Sequence, residues 1–303
     1  MQPVSAGSRE RWGTVVLAGR PNVGKSTLLN ALTGRALSIV TPKAQTTRHR
    51  IEGMVTGPGF RMIVSDTPGA GAPGGSRLTH AMNCEGEAAL GSADAAILVI
   101  AAPRWTAGDE AVLARLARAG LPVVLAVNKI DLVRPRTALL PFLARVAEKH
   151  DFSAIVPVSA GRRENLDALV RAAAAHLPEG PVAEAPAPLD RGERFVAAEA
   201  LREQLTLALS DELPYGLAVE IERFEPTADG RTEIDAVIWV EREGQRRIVI
   251  GAKGARLKAV GQAARLALNE RLGRRVHLNT WVKVRECWSD DDRMLRQLGH
   301  EPP

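Results

Sequence analysis

Gly19-Arg20-Pro21-Asn22-Val23-Gly24-Lys25-Ser26 is a complete G-x-x-x-x-G-K-[ST] phosphate loop. The apolar run Thr14-Val15-Val16-Leu17-Ala18 precedes it and reads as a buried strand. Ser26-Thr27-Leu28-Leu29-Asn30-Ala31-Leu32 follows, helical in composition and stopped at Gly34. Strand, glycine loop and helix N-terminus together form an anion-binding arrangement. Glycines let successive backbone N–H groups turn inward on a β-phosphate with no Cβ in the way. Lys25 adds a point charge between the β- and γ-phosphates, and the Ser26 hydroxyl is placed for Mg²⁺. The stretch predicts a nucleoside triphosphate held by Gly19, Asn22, Val23, Gly24, Lys25, Ser26 and Thr27.

Further along, Asn128-Lys129-Ile130-Asp131 selects the base. The Asp131 carboxylate can accept two hydrogen bonds, from guanine N1 and N2. Adenine offers no such donor pair, and leaves a buried carboxylate unpaired. Lys129 can lie along the base plane. Ser159-Ala160-Gly161 ends the last predicted strand, where a backbone N–H can reach guanine O6. Asp66-Thr67-Pro68-Gly69 follows the run Arg61–Ser65. An Asp at a strand end can bind Mg²⁺ through water, and the Gly69 N–H can sense the γ-phosphate. Between the two phosphate motifs, Ser38 to Arg50 predicts a flexible loop ordered by Mg²⁺ through a threonine hydroxyl, Thr47 first and Thr46 second. The expected metal set is thus Ser26, Thr47 and Asp66, and the expected cofactors are GTP or GDP with Mg²⁺.

The chain has 303 residues, enough for two domains of ordinary size, and 45% of them are apolar. No apolar run approaches the roughly 18–20 residues of a membrane span, and Met1 to Arg11 lacks the apolar stretch of a signal peptide. Cys84 and Cys287 are the only cysteines; neither they nor the six histidines show metal-ligand spacing, and a reduced, cytosolic setting is expected. A net charge of +5 favours a polyanionic partner. That charge is segregated: residues 242–286 carry twelve Lys/Arg against three acids, whereas residues 191–241 carry five against twelve. A mixed solvated surface needs no such sorting.

Residues 12–177 alternate apolar runs with helical stretches, the pattern of an α/β domain. Strands are expected at Val15–Ala18, Arg61–Ser65, Ala95–Ile100, Pro122–Asn128 and Ile155–Ser159. Helices are expected at Lys25–Leu32, Asp109–Ala119, Ala138–His150 and Asn165–His176. Leu177 to Pro188 holds four prolines and no apolar period, and reads as a semi-rigid linker. The resulting division is 1–182, a linker at 183–190, and 191–303. The last part predicts helix (Arg191–Ser210), strands (Leu217–Phe224, Thr232–Glu241), two helices split by glycines (Gln245–Ile250, Ala255–Arg271) and a strand (Val276–Cys287).

The phosphate loop with Thr27-Leu28-Leu29-Asn30, Lys43-Ala44-Gln45-Thr46-Thr47-Arg48-His49-Arg50 and Arg104-Trp105-Thr106 resemble the Era-like GTPase family of bacteria. So do Glu212-Leu213-Pro214-Tyr215, Val219 to Phe224, Val240 to Gln245, Trp281-Val282-Lys283-Val284 and Trp288. The resemblance runs over nearly the whole chain. It implies a Ras-like P-loop G domain of α/β class followed by an α+β type II KH domain. It also implies GTP hydrolysis with Lys25, Thr47, Gly69 and Asn22 in the catalytic machinery, and binding of the 3′ end of 16S rRNA in small-subunit maturation. A monomer, cytoplasmic with peripheral association with the inner membrane, is implied as well. Two features depart from the family or from other GTPases. Ala70 to Arg77 is small and glycine-rich where the family carries bulkier and charged residues. Position 70 is not the water-orienting glutamine of many GTPases, an absence the family shares. Slow intrinsic turnover follows, helped by a partner or by K⁺, to which Asn22 offers a carbonyl oxygen.

The residues support the KH expectation by themselves. Gly251-Ala252-Lys253-Gly254 supplies a G-x-x-G between two helices, where a nucleic-acid backbone can come close. Lys253, Arg256 and Lys258 surround it, inside the basic block. Trp239, Trp281 and Trp288 are candidates for base stacking, although Trp239 and Trp281 fall in strands and favour the core, where Phe195 and Phe224 are also expected. The alternatives are a structural RNA-binding protein that holds nucleotide without turnover, and a GTPase of tRNA modification or large-subunit assembly; the single G domain and the KH element order disfavour the second.

Overall fold

The computed structural model describes residues 9–43, 46–68, 75–181, 187–189, 191–210 and 213–300. Gly69 and Ala70, and most of the stretch 183–190, lie outside the described residues. The chain forms two compact units. The first comprises Met1–Ser38, Ala44–Ala72 and Asn83–Leu189; the second comprises Ile39–Lys43, Pro73–Met82 and Asp190–Pro303.

The first unit is built on a seven-stranded sheet in the order β2-β3-β1-β4-β5-β6, with β7 also pairing β1. In chain order the elements are β1 (Arg9–Ala18), α1 (Lys25–Thr33), β2 (Ile51–Gly57), β3 (Phe60–Asp66), α2 (Arg77–Gly91), β4 (Ala95–Ala101), α3 (Ala107–Ala119), β5 (Val123–Asn128), α4 (Leu139–Ala147), β6 (Ala154–Pro157), α5 (Leu166–Ala174) and β7 (Glu179–Pro181). Strands β3, β1, β4, β5 and β6 run parallel, and β2 closes the edge antiparallel to β3. Because β4 and β5 are covered on both sides, their sequences Ala95-Ala96-Ile97-Leu98-Val99-Ile100 and Val123 to Val127 are continuously apolar and fully buried. Leu116 of α3 and Phe142 and Val146 of α4 pack in the same core. This arrangement gathers the phosphate loop, Asp66, Asn128 and Ser159 at the carboxyl ends of β1, β3, β5 and β6, where open α/β sheets bind ligands.

Three elements of this unit differ from expectation. β2, α2 and β7 have no counterpart in the sequence reading, and β7 turns Glu179–Pro181, read as linker, into a strand antiparallel to Arg9–Arg11.

The second unit runs α6 (Gly192–Ala208), β8 (Leu217–Pro226), β9 (Thr232–Val240), α7 (Glu243–Ile250), α8 (Ala255–Leu272), β10 (Val276–Val284) and α9 (Asp292–Gln297). Up to β10 this is the expected order. The sheet is β10-β9-β8, with β8 antiparallel and β10 parallel to β9. Leu201 and Leu205 of α6, Val249 of α7 and Val260 and Ala264 of α8 bury Val219, Ala236, Ile238 and Val282 on one sheet face. The tryptophans depart from expectation. Trp288 is fully buried and donates its indole N–H to Gly216 O at 3.2 Å, so it is core and not a stacking platform. Trp281 is 46% exposed, so it is not core. Phe195 and Phe224 are half-buried, with the guanidinium carbons of Arg191 and Arg274 at 5.4 and 5.9 Å from the ring centroids.

Candidate nucleotide site and nucleic-acid loop

The loop after β1 is shaped by its glycines. Gly24 sits at φ 102°, and a Cβ there would lie 2.4 Å from Asn128 Nδ2. Only glycine lets the loop approach the base-selecting strand so closely. Lys25 folds back across the loop, its Nζ donating to Gly19 O at 2.9 Å and Arg20 O at 3.3 Å. Burial pushes its ammonium below the usual lysine range, against the pull of the Asp66 charge.

Asp66 is the electrostatic centre. It is fully buried, and its Oδ2 accepts from the hydroxyls of Ser26 (2.7 Å), Ser38 (3.1 Å) and Thr47 (3.2 Å). Ser26 Oγ and Thr47 Oγ1 are themselves 3.0 Å apart. Burial pushes the carboxyl up; the Lys25 charge and then the three hydroxyls pull it back down. Its other oxygen, Oδ1, is buried with no hydrogen-bond partner among the described residues. Three hydroxyls and a buried carboxylate whose second oxygen is orphaned form an all-oxygen donor set that suits a hard cation such as Mg²⁺. The hydroxyls on Asp66 include that of Thr47 and not that of Thr46. Ser38 is a member that sequence reasoning missed.

The base-selecting residues are held by one another. Asn128 Nδ2 donates to Val23 O at 2.8 Å, and its Oδ1 accepts the Ala160 N–H at 3.0 Å. Ser159 Oγ donates to Asp131 Oδ1 at 2.7 Å. Lys129, at φ 63°, reaches back to donate to Asn22 O at 2.6 Å. The phosphate loop and both guanine motifs are therefore one hydrogen-bonded assembly. Gly161 lies beside it, exposed.

A second unforeseen contact steadies the loop from the side. Arg20 Nε donates to Asp109 Oδ1 and Oδ2 at 3.0 and 3.1 Å, and the Asp109 side chain is completely buried. Asp109 also closes a capping box with Thr106 at the start of α3. The pattern Thr106-x-x-Asp109 was the available signal.

In the second unit, Gly251, Lys253 and Gly254 all take positive φ, at 74°, 50° and 77°, between α7 and α8. Ala252, Lys253, Arg256 and Lys258 are exposed. Arg256 also donates to Ile248 O. Among the described residues Arg247, Lys253, Lys258 and Arg265 enter no ion pair, whereas Arg246, Arg271 and Arg274 are paired with Glu243, Glu203 and Glu193. Arg247, Lys253 and Lys258 are thus unpaired within a few residues of the G-x-x-G turn, while Arg242, Arg265 and Arg275, also outside ion pairs among the described residues, lie farther off along the chain.

Comparison with known proteins agrees with both units. A family model described as "50S ribosome-binding GTPase" matches residues 14–129, and a KH domain model matches residues 212–289. GTPase Era of Stenotrophomonas maltophilia strain K279a is 49% identical, over 95% of this chain and 97% of its own. GTPase Era of Xanthomonas axonopodis pv. citri is 48% identical over 97% and 98%. This chain belongs to the Era GTPase family. It is a P-loop GTPase with a C-terminal KH domain. Two solved structures superpose at a TM-score of 0.90 with 37% identity, covering 96% of this Era-family chain and 99% of theirs. One is a variant of Aquifex aeolicus Era bound to GDP and AlF₄⁻. The other is Era in complex with MgGDPNP and nucleotides 1506–1542 of 16S ribosomal RNA.

Proposed function

We propose that this GTPase cycles between GTP and GDP with Mg²⁺, binds single-stranded 16S rRNA near its 3′ end through the KH domain, and acts in maturation of the small ribosomal subunit. The observation that carries the nucleotide half is the Asp66 centre, where an orphaned oxygen and three hydroxyls gather beside a buried lysine. Ser26 and Thr47 would hold Mg²⁺ directly and Asp66 through water. The ion would neutralise charge on the β- and γ-phosphates. Lys25 exchanges two loop carbonyls for phosphate oxygens, a charge-assisted and stronger partner. Asn128 and Asp131, braced by Val23, Ala160 and Ser159, recognise guanine. The Gly69 N–H, outside the described residues, is assigned to the γ-phosphate. With no glutamine at position 70, turnover is slow, and K⁺, which Asn22 would hold, would supply the missing positive charge.

The RNA half rests on unpaired Lys253 and Lys258 beside Gly251 and Gly254, with Arg256 at the same turn. The backbone can approach a nucleic-acid strand there, and the exposed aliphatic side chain of Ile248 offers a floor for a base. The relatives matched over 95% of the chain or more are GTPase Era. The 50S description attaches to residues 14–129 alone, so the small subunit is the proposed destination. Cytoplasmic location, peripheral attachment to the inner membrane and a monomeric state belong to the proposal through the family likeness. No helix among the described residues is long and apolar enough to cross a membrane.

Gly254→Asp tests the RNA site. A Cβ at Gly254 meets nothing within 4 Å, and Asp is among the residues that best tolerate its φ of 77°. The added carboxylate should abolish binding of a 16S 3′-end oligonucleotide and leave GTP affinity unchanged. Lys258→Ala should weaken the RNA uniformly and flatten the salt slope by about 0.7, one single-strand phosphate contact. RNA affinity retained in a folded Gly254→Asp variant would reject the KH site.

A further inference from the structure

The acidic block at residues 191–241 finds no use in the RNA loop. Part of it is displayed on the sheet face opposite α6, α7 and α8, beyond the corner where Met294, Leu295 and Leu298 pack on Ala218 and Trp239. Alternation along β8 and β9, with a bulge at Glu222, turns Glu220, Glu222, Glu225, Glu233 and Asp235 to that face, where Arg223 pairs with Glu225 and Glu233, Lys283 pairs with Glu222, and Glu220 accepts from Trp239 and Gln297. Trp281 stands among them on the edge strand β10, 46% exposed. It lies across from Val237 and one rung from the Asn279–Asp235 pair, whose side chains bond at 2.9 Å.

The same face already shows what it holds. Lys283 Nζ sits 5.6 Å from the Trp239 ring centroid and 2.8 Å from Glu222 Oε1, an ammonium between an indole and a carboxylate. Trp281 and Asp235 are diagonal neighbours on that face, and the cation beside Asp235, Arg223 directly across on β8, is bonded to Glu225 and Glu233 instead. Of the existing ion pairs, Lys283–Glu222 and Arg223–Glu225 are about half exposed on each side, Arg223–Glu233 is less so, and such pairs are worth little, so an incoming cation can share their carboxylates.

We propose that this sheet face docks an arginine- or lysine-rich polypeptide segment, one cation of which stacks on Trp281 and shares the Asp235 carboxylate. RNA is the disfavoured occupant, because five carboxylates repel its phosphates. The test uses the full chain and a synthetic peptide of repeated Gly-Arg-Gly-Lys, with a 16S 3′-end oligonucleotide titrated in parallel. Trp281→Ala should weaken the peptide about two- to fivefold, the size of one exposed cation–π contact, and Trp281→Phe should restore most of it. Glu233→Gln with Asp235→Asn should weaken it at least as much and flatten its salt dependence. RNA affinity should stay unchanged in all three. Peptide affinity unaffected by both the Trp281→Ala and the carboxylate changes would overturn the proposal. A matching loss of RNA affinity in Trp281→Ala would overturn it too, giving the tryptophan to the RNA path. So would a concentration-dependent dimer that Trp281→Ala abolishes.

Discussion

Asp131 reaches the base site with one oxygen already anchored by Ser159 Oγ at 2.7 Å. An amide at this position keeps one acceptor but turns a donor toward guanine's donors. Asp131→Asn should therefore lower GTP affinity about ten- to a hundredfold, the cost of losing a charge-assisted pair, and gain preference for xanthosine nucleotides, which competition binding will show. Unchanged GTP affinity would remove Asp131 from the base site. Asn22 holds a left-handed φ of 62°, its backbone oxygen taken by Lys129 and its side chain exposed. Phosphate release should run faster in K⁺ than in Na⁺, and Asn22→Ala should erase the difference. Asn22→Gly should erase it as well, since glycine keeps the φ without strain; a K⁺ effect surviving there would assign the loss in the alanine variant to backbone strain. At this scale the sequence was informative where spacing carries chemistry. Ser26, Thr47 and Asp66 meet as their motifs require. Ser38 was invisible, because it reaches Asp66 across 28 positions through tertiary folding, and no local pattern records that.

Among the elements, β1, the phosphate loop and α1 were legible because the motif demands that order. β2 was not: Gly53 and Gly57 interrupt its alternation, and it is an edge strand with half its residues only partly buried. α2 carries Gly86 and little apolar periodicity. β7 is three residues long, ends in a proline, and exists only because β1 pairs with it. α3 shows how one element steadies the site. Its Asp109 is fully buried, and Arg20 satisfies it from the phosphate loop. Arg20→Ala leaves that carboxylate with only its cap partners, Thr106 N–H and Oγ1. A charged hydrogen bond of this kind is worth about 2 kcal/mol. Hydrogen exchange suits the measurement, since a chain of two units is not a single two-state system. Amides at the start of α3 should exchange about thirtyfold faster in Arg20→Ala, and protection equal to the parent chain would make the ion pair energetically idle.

Over the whole molecule, charge segregation was the most informative feature that no motif carries. Its basic half sets Arg247, Lys253, Arg256 and Lys258, none of them in an ion pair among the described residues, at or beside the G-x-x-G turn. Its acidic half supplies the partners of Arg271 and Arg274 and lines the part of the far sheet face that α9 leaves uncovered. One domain can thus attract a polyanion on one side and repel it on the other, which orients RNA as well as binding it. The sequence could count these charges but not sort them by face, because the bulge at Glu222 and the register of β8 on β9 decide which carboxylates point outward. The most direct test of the proposed cycle is phosphate release from GTP by the full chain, with Mg²⁺ and K⁺, with and without a 16S 3′-end oligonucleotide. Slow release that Lys25→Ala abolishes and the RNA accelerates is the expected result; release no greater than that of Lys25→Ala, with or without RNA, would contradict it.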